Sequence, residues 1–164
     1  MPTSFRVRLH EFTEIRAPAT EVWDLLTDWA GMLRWHLTPE QGGLPGPPMI
    51  RCELVGEFDA VPRTRRMIFN NGRVIEEQIF YQSDEHRRIY YTKDEPPDSD
   101  LSGYVASAYV DEIDSNTCAL HVTSWFDART GDAAEAASTF FGNVYRAIFN
   151  GFRGYFARSN PFSR

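Results

Sequence analysis

The stretch GDAAEAASTFFGNVYRAIFNGFRGYF, residues 131–156, decides the architecture. Ala133, Ala137, Phe140, Phe141, Val144, Tyr145, Ile148, Phe149, Phe152, Tyr155 and Phe156 recur at three- and four-residue steps. That period sets them along one stripe of a long amphipathic helix, with Asp132 a suitable start. Seven aromatic rings lie on this one segment, between Phe140 and Phe156. Burying them calls for a broad apolar partner surface.

Upstream of Gly131 the period changes to two. Residues 5–15 alternate, with Phe5, Val7, Leu9, Thr13 and Ile15 against Arg6, Arg8, His10 and Glu14, broken at Glu11 and Phe12. This reads as a strand. Ala17-Pro18-Ala19 then opens a helix, with Val22, Trp23, Leu25, Leu26 and Trp29 at helical spacing. Gly31 interrupts it, and Met32–Leu37 is suited to a second short turn. After a Gly/Pro-rich loop at 42–48, strands are expected at 49–55, 63–69, 73–82, 87–93, 103–113 and 117–127. Strand runs joined by hairpin signals, followed by one helix, imply an α+β fold with an antiparallel sheet and the helix packed on one face.

The Asn70-Asn71-Gly72 turn sets a register. A two-residue loop pairs Asn70 with Arg73. A three-residue loop with Gly72 in the left-handed conformation pairs Phe69 with Arg73, Met67 with Ile75 and Arg65 with Glu77. The second gives the cleaner inward face: Arg65, Met67, Phe69, Ile75, Glu77, Ile79 and Tyr81. Thr64, Arg66, Glu76 and Gln78 then fall outside. An Arg–Glu pair on a mostly apolar face needs its partner, a water or a ligand. Ile89, Tyr91 and Lys93 share a face, as do Tyr104, Ala106, Ala108 and Val110. A four-residue loop at 114–117 sets Trp125 opposite Ala106, Thr123 opposite Ala108 and His121 opposite Val110, turning Trp125 and His121 inward. A slip of one residue reverses every such face.

Composition narrows the function. The 164 residues are 42% apolar and 24% charged, as expected of one domain. The net charge of −6 argues against a nucleic-acid surface, and Arg63, Arg65 and Arg66 point to both faces of a strand. No apolar run is long enough to cross a bilayer, and the first residues lack the apolar core of a secretory signal. A cytoplasmic location is therefore expected. Cys52 and Cys118 form no CxxC pair and read as inert thiols. His10, His36, His86 and His121 match no zinc spacing, so no metal and no cofactor are expected. Ser102, Ser107 and Ser124 lie in no nucleophile elbow. The loop 42–48 lacks the Lys-Ser/Thr of a phosphate cradle.

Several residues together carry a resemblance to a known family. They are Ile15-Arg16-Ala17-Pro18-x-x-x-Val22-Trp23-x-x-Leu26-x-Asp28, Arg65 ahead of Asn71-Gly72 and Glu77, Asp84, Arg88-Ile89-Tyr90-Tyr91, Gly103-Tyr104, Trp125-Phe126 and the final helix. With this layout, residues 6–157 resemble the START-like helix-grip superfamily, in particular its bacterial polyketide cyclase/dehydrase and lipid transport group. The Ala-Pro-x-x-x-Val-Trp run is specific for the superfamily and nearly silent about the ligand. The resemblance implies a seven-stranded curved antiparallel sheet gripping the last helix around an apolar cavity, with two short helices after the first strand. It implies that Glu77, Tyr91 and Tyr104 line that cavity and that Phe140, Val144 and Ile148 form its helix wall. Pro62 stands where many relatives have Gly. The Ser-Gly-Leu-Pro gate of the plant hormone receptors is absent at Asn70–Gly72, so hormone sensing is not carried over.

The residues expected at a ligand site are thus Arg65, Met67, Phe69, Glu77, Tyr91, Tyr104, His121, Trp125, Phe140, Val144 and Ile148. Loops 42–48, 58–62, 70–72 and 94–103 are expected around the mouth. The leading expectation is a binder of a small hydrophobic molecule of lipid, polyketide or isoprenoid type, acting as a monomer or homodimer without membrane insertion. A second is a cofactor-free cyclase or dehydratase in which Glu77, Arg65 and cavity tyrosines move protons or polarise a carbonyl. A third is an interaction or co-chaperone module. The bland alternatives are an Arg65–Glu77 brace for the hairpin, tyrosines satisfied within a core, and an ordinary strand histidine at position 121.

Overall fold

The structure, a computed structural model, describes residues 3–159. Strand β1 (Phe5–Ile15) leads through helix α1 (Ala19–Thr27) and two 3-10 turns (Gly31–Arg34 and Pro39–Gln41) to β2 (Met49–Val55). Strands β3 (Arg63–Phe69), β4 (Val74–Ser83), β5 (Arg88–Lys93), β6 (Leu101–Asp114) and β7 (Thr117–Ala128) follow. Helix α2 (Gly131–Ser159) comes last among the described residues. The seven strands form one antiparallel sheet in the order β1-β7-β6-β5-β4-β3-β2. This is the expected α+β helix-grip arrangement.

Helix α2 lies against β1 and β7 and buries Phe141, Tyr145, Phe149, Phe152 and Phe156. The broken alternation in β1 has a polar cause. Glu11 takes an inward position and meets Arg146 of α2 at 3.2 Å, while Arg153 donates to Thr13 Oγ1 at 3.0 Å. Phe12 falls on the outer face instead, exposed and 5.3 Å from the His121 ring. Gly151 allows the closest approach of the helix. A Cβ there would sit 2.6 Å from the Trp35 carbonyl oxygen, and the Trp35 ring packs 4.8 Å from Phe152.

The β3–β4 hairpin takes the three-residue loop. Phe69 N–H donates to Arg73 O at 3.0 Å, and Gly72 has φ +84°. Asn71 Oδ1 accepts from Arg73 N–H at 3.0 Å, bracing the loop. Arg65 accordingly faces Glu77, and Met67 faces Ile75. Outside, Arg66 pairs with Glu76 at 2.7 Å.

Two strand faces depart from expectation, and one extra residue explains each. Tyr81 does not point inward. The pairing steps from Ile79↔Tyr91 to Tyr81↔Tyr90, so a bulge at Phe80 turns Tyr81 out beside Tyr90. The loop at 114–117 closes as a two-residue turn with Asp114 opposite Thr117, and the pairing shifts between Glu112 and Asp114. The bulge moves the register by one: Trp125 lies opposite Val105, Thr123 opposite Ser107 and His121 opposite Tyr109. Leu120, Val122, Ser124 and Phe126 thereby turn inward and are buried.

Candidate functional site

Between the sheet and α2 lies a cavity of about 430 Å³. Strand β3 contributes Arg65, Met67 and Phe69, β4 contributes Ile75 and Glu77, β5 contributes Tyr91 and Lys93, and β6 contributes Tyr104. The helix supplies Phe140, Phe141, Val144, Tyr145 and Ile148. Leu44, Pro45, Pro47, Pro48 and Asn71 stand at the mouth, so loops 42–48 and 70–72 surround it, whereas 58–62 and 94–103 contribute no wall. Nine of the eleven residues expected from sequence meet here.

His121 and Trp125 are the two that do not. The bulge before the β6–β7 turn sends both to the outer face of the sheet. There the His121 ring stacks on Tyr109 at 4.5 Å, shares a 2.9 Å hydrogen bond with His10, and approaches Asp111 at 3.4 Å. Arg88 lies over the far side of Tyr109, 4.0 Å from its centroid. Burial pulls the His121 pKa down, Asp111 opposes it, and His10 and Arg88 add to the lowering.

At the floor of the cavity, Arg65 donates to Glu77 Oε2 at 2.7 Å, with the two side chains 7% and 17% exposed. The guanidinium carbon also sits 3.6 Å from the Trp29 ring centroid. Trp29 is held in turn by its indole N–H, which donates to Glu77 O at 3.1 Å. A cation between a carboxylate and an aromatic face is stabilised from two sides. The pair therefore keeps its geometry without a ligand.

A second polar feature is a chain of hydroxyls. Tyr145 donates to Ser124 Oγ at 2.6 Å, which leaves Tyr104 as donor in its 2.7 Å bond to Tyr145. The Tyr104 oxygen keeps lone pairs for an incoming donor. Burial pushes the Tyr91 and Tyr104 phenols well above their ordinary pKa and raises Tyr145 to about 12. All three are phenols, not phenolates, at neutral pH. In that form they suit exchange of hydrogen bonds and not the role of a strong base.

Sequence reasoning missed His36, Arg73 and Lys93 in the wall and Trp29 behind it. Lys93 carried a usable signal, because it shares a strand face with Ile89 and Tyr91. Trp29 carried none, since a ring at a helix end meeting a strand 48 residues later is not encoded in local periodicity. Burial lowers the His36 pKa, and the nearby Arg65 charge adds to that. The thiols behave as expected of inert groups: burial raises Cys52, and raises Cys118 to about 11.

No helix among the described residues is long and apolar enough to cross a membrane. No curated protein matches the sequence. Solved structures do. An uncharacterised protein from Bacillus thuringiensis is similar with TM-score 0.72 and 18% identity, over 92% of this chain and 98% of that one. A Thermobifida fusca protein solved by NMR in solution matches with TM-score 0.73 and 24% identity, over 92% and 93%. Norcoclaurine synthase from Thalictrum flavum, solved with dopamine and hydroxybenzaldehyde, matches with TM-score 0.69 and 19% identity, over 96% and 90%. At these identities the likeness is one of fold. A family described as polyketide cyclase / dehydrase and lipid transport matches residues 6–157, nearly the whole length of the sheet and helix just described. The chain belongs to that family.

Proposed function

We propose that the chain binds a small apolar molecule, of lipid, polyketide or isoprenoid type, between the sheet and α2. The cavity carries this reading: about 430 Å³, walled mainly by apolar and aromatic side chains with a few convergent polar groups. Ligand sites of this kind span about 300–1,000 Å³. A domain that needed only a core would fill such a volume, because voids in cores cost stability. Native mass spectrometry of the protein purified from cells should show bound apolar species that solvent extraction removes. Val144→Trp, which fills the space from the helix wall, should abolish them. If a broad apolar library neither binds nor displaces an environment-sensitive dye, the reading falls.

A second reading is favoured by the Arg65–Glu77 pair and the Tyr104–Tyr145 hydroxyls, which line one cavity, with Ser124 behind them as the acceptor of the Tyr145 hydroxyl. In it the cavity folds a reactive chain, Glu77 takes a proton and Arg65 or Tyr91 polarises a carbonyl, with no cofactor. Glu77→Gln should then abolish turnover while leaving ligand affinity within about threefold. Unchanged turnover would remove Glu77 from the chemistry.

A further inference from the structure

The charges around the cavity do not match those of the whole molecule. The chain carries a net −6. Its cavity wall holds Arg65, Arg73 and Lys93 against the single carboxylate of Glu77. Glu77 is already taken by Arg65 at 2.7 Å. Lys93 sits deeper than Arg73 and on the same strand face as Tyr91. Its ammonium lies 5.0 Å from the Phe141 centroid and 5.6 Å from that of Tyr104. Among the described residues, no carboxylate reaches it at ion-pair distance and no hydrogen bond engages it. Glu77, across the strand pair from it, and Glu95, which is not part of the cavity wall, lie close enough to favour its charge without contacting it.

We propose that the ligand bears a carboxylate on its apolar body, and that Lys93, supported by Arg73 nearer the mouth, is its counter-ion. This rests on the ligand-binding reading above and specifies its chemistry. Aromatic faces stabilise an ammonium but leave its three N–H donors unused. Burial lowers the Lys93 pKa; Glu77 and Glu95 oppose that without contacting the ammonium, and Arg73 adds to it, so the charge there lacks a bonded partner. A carboxylate in the cavity supplies it. The apolar part of the same molecule covers Met67, Ile75, Val144 and Ile148. A neutral ligand leaves the surplus charge unpaired, and a cationic one adds to it.

The test uses acid and primary-amide pairs on identical apolar bodies: decanoate and decanamide, naphthylacetate and naphthylacetamide, cinnamate and cinnamamide. Affinities are measured by calorimetry at neutral pH for the wild type, Lys93→Met and Lys93→Arg. In at least one pair the acid should bind about tenfold tighter than its amide, a difference of about 1.4 kcal/mol. Lys93→Met should erase that ratio and Lys93→Arg should keep most of it. In the wild type alone, raising the salt concentration should narrow the ratio, which tests the idea even if Lys93→Met fails to fold. Amides that bind as well as their acids, or a ratio indifferent to both Lys93→Met and salt, overturn the carboxylate while leaving the apolar cavity intact. Binding by no member of any pair counts against the ligand-binding reading itself, and this inference falls with it.

Discussion

Removing Glu77 alone strands the Arg65 guanidinium in a space where only 7% of its side chain reaches water. Breaking a buried pair from one side costs about 3–5 kcal/mol, whereas replacing both partners costs far less. Arg65→Met and Glu77→Leu should therefore each lower the unfolding free energy by about 3 kcal/mol. The double variant should lose clearly less than their sum, as read by urea denaturation. Simple additivity would show that the pair is not coupled. Gly72 offers a cleaner residue-scale case, because its φ of +84° is the only obstacle to a side chain and the space around it is open. Gly72→Ala should cost about 1 kcal/mol through backbone strain alone. The Arg65–Glu77 contact was legible in the sequence because Asn71 and Gly72 are chemically specific to one turn. The Trp29 ring beneath Arg65 was not, since nothing local ties that ring to β3.

The long helix shows how packing can override propensity. Gly151 and Gly154 lie three residues apart in α2 and have opposite surroundings. A Cβ at Gly151 would collide with the Trp35 backbone at 2.6 Å, whereas one at Gly154 meets only the movable end of Arg158 at 3.4 Å. Ala is favoured over Gly in a helix by about 1 kcal/mol. Overpacking a rigid contact costs about 1–3 kcal/mol. Gly154→Ala should therefore raise the thermal midpoint and Gly151→Ala should lower it. A gain at both positions would mean that the helix does not press on Trp35. The helix and every strand were readable from periodicity, because each element repeats its own signal several times. The bulges at Phe80 and Ile113 were not, for each inserts one residue that no glycine or proline announces. That single-residue ambiguity is what placed Tyr81, His121 and Trp125 on the wrong face.

For the whole molecule, two histidines make stability depend on pH. Burial holds His36 and His121 below the ordinary histidine value of 6.5. A folded-state pKa below the unfolded one means that the native protein takes up the proton less readily. The stability these groups contribute is complete above about pH 6.5 and is lost as pH falls through their lowered folded values. The urea midpoint should fall on going from about pH 7 to about pH 5. A His36→Gln, His121→Gln double variant should show a shallower fall; an identical slope would exclude both residues. Ligand acts on the same equilibrium. A molecule bound in the cavity at a hundred times its Kd should add about 2.7 kcal/mol to the unfolding free energy, measurable as a shift of the urea midpoint.

The pairing of β1 with β7 also carries a consequence for the order of synthesis. Arg6 and Asp127, joined at 2.6 Å across those strands, are 121 residues apart. At about 5–20 residues per second, a ribosome needs on the order of 10 s to make the second after the first. During that interval β2 through β6 can pair in sequence as neighbours, but β1 has no neighbour to pair with. Its alternating apolar face and open edge stay available to any other unpaired strand. Helix α2, which covers the inner face, is made later still. The nascent protein thus carries an unpaired strand while β2 to β6 are made, and its yield in cells should respond more strongly to chaperone supply than that of a fold whose first strand pairs with its second.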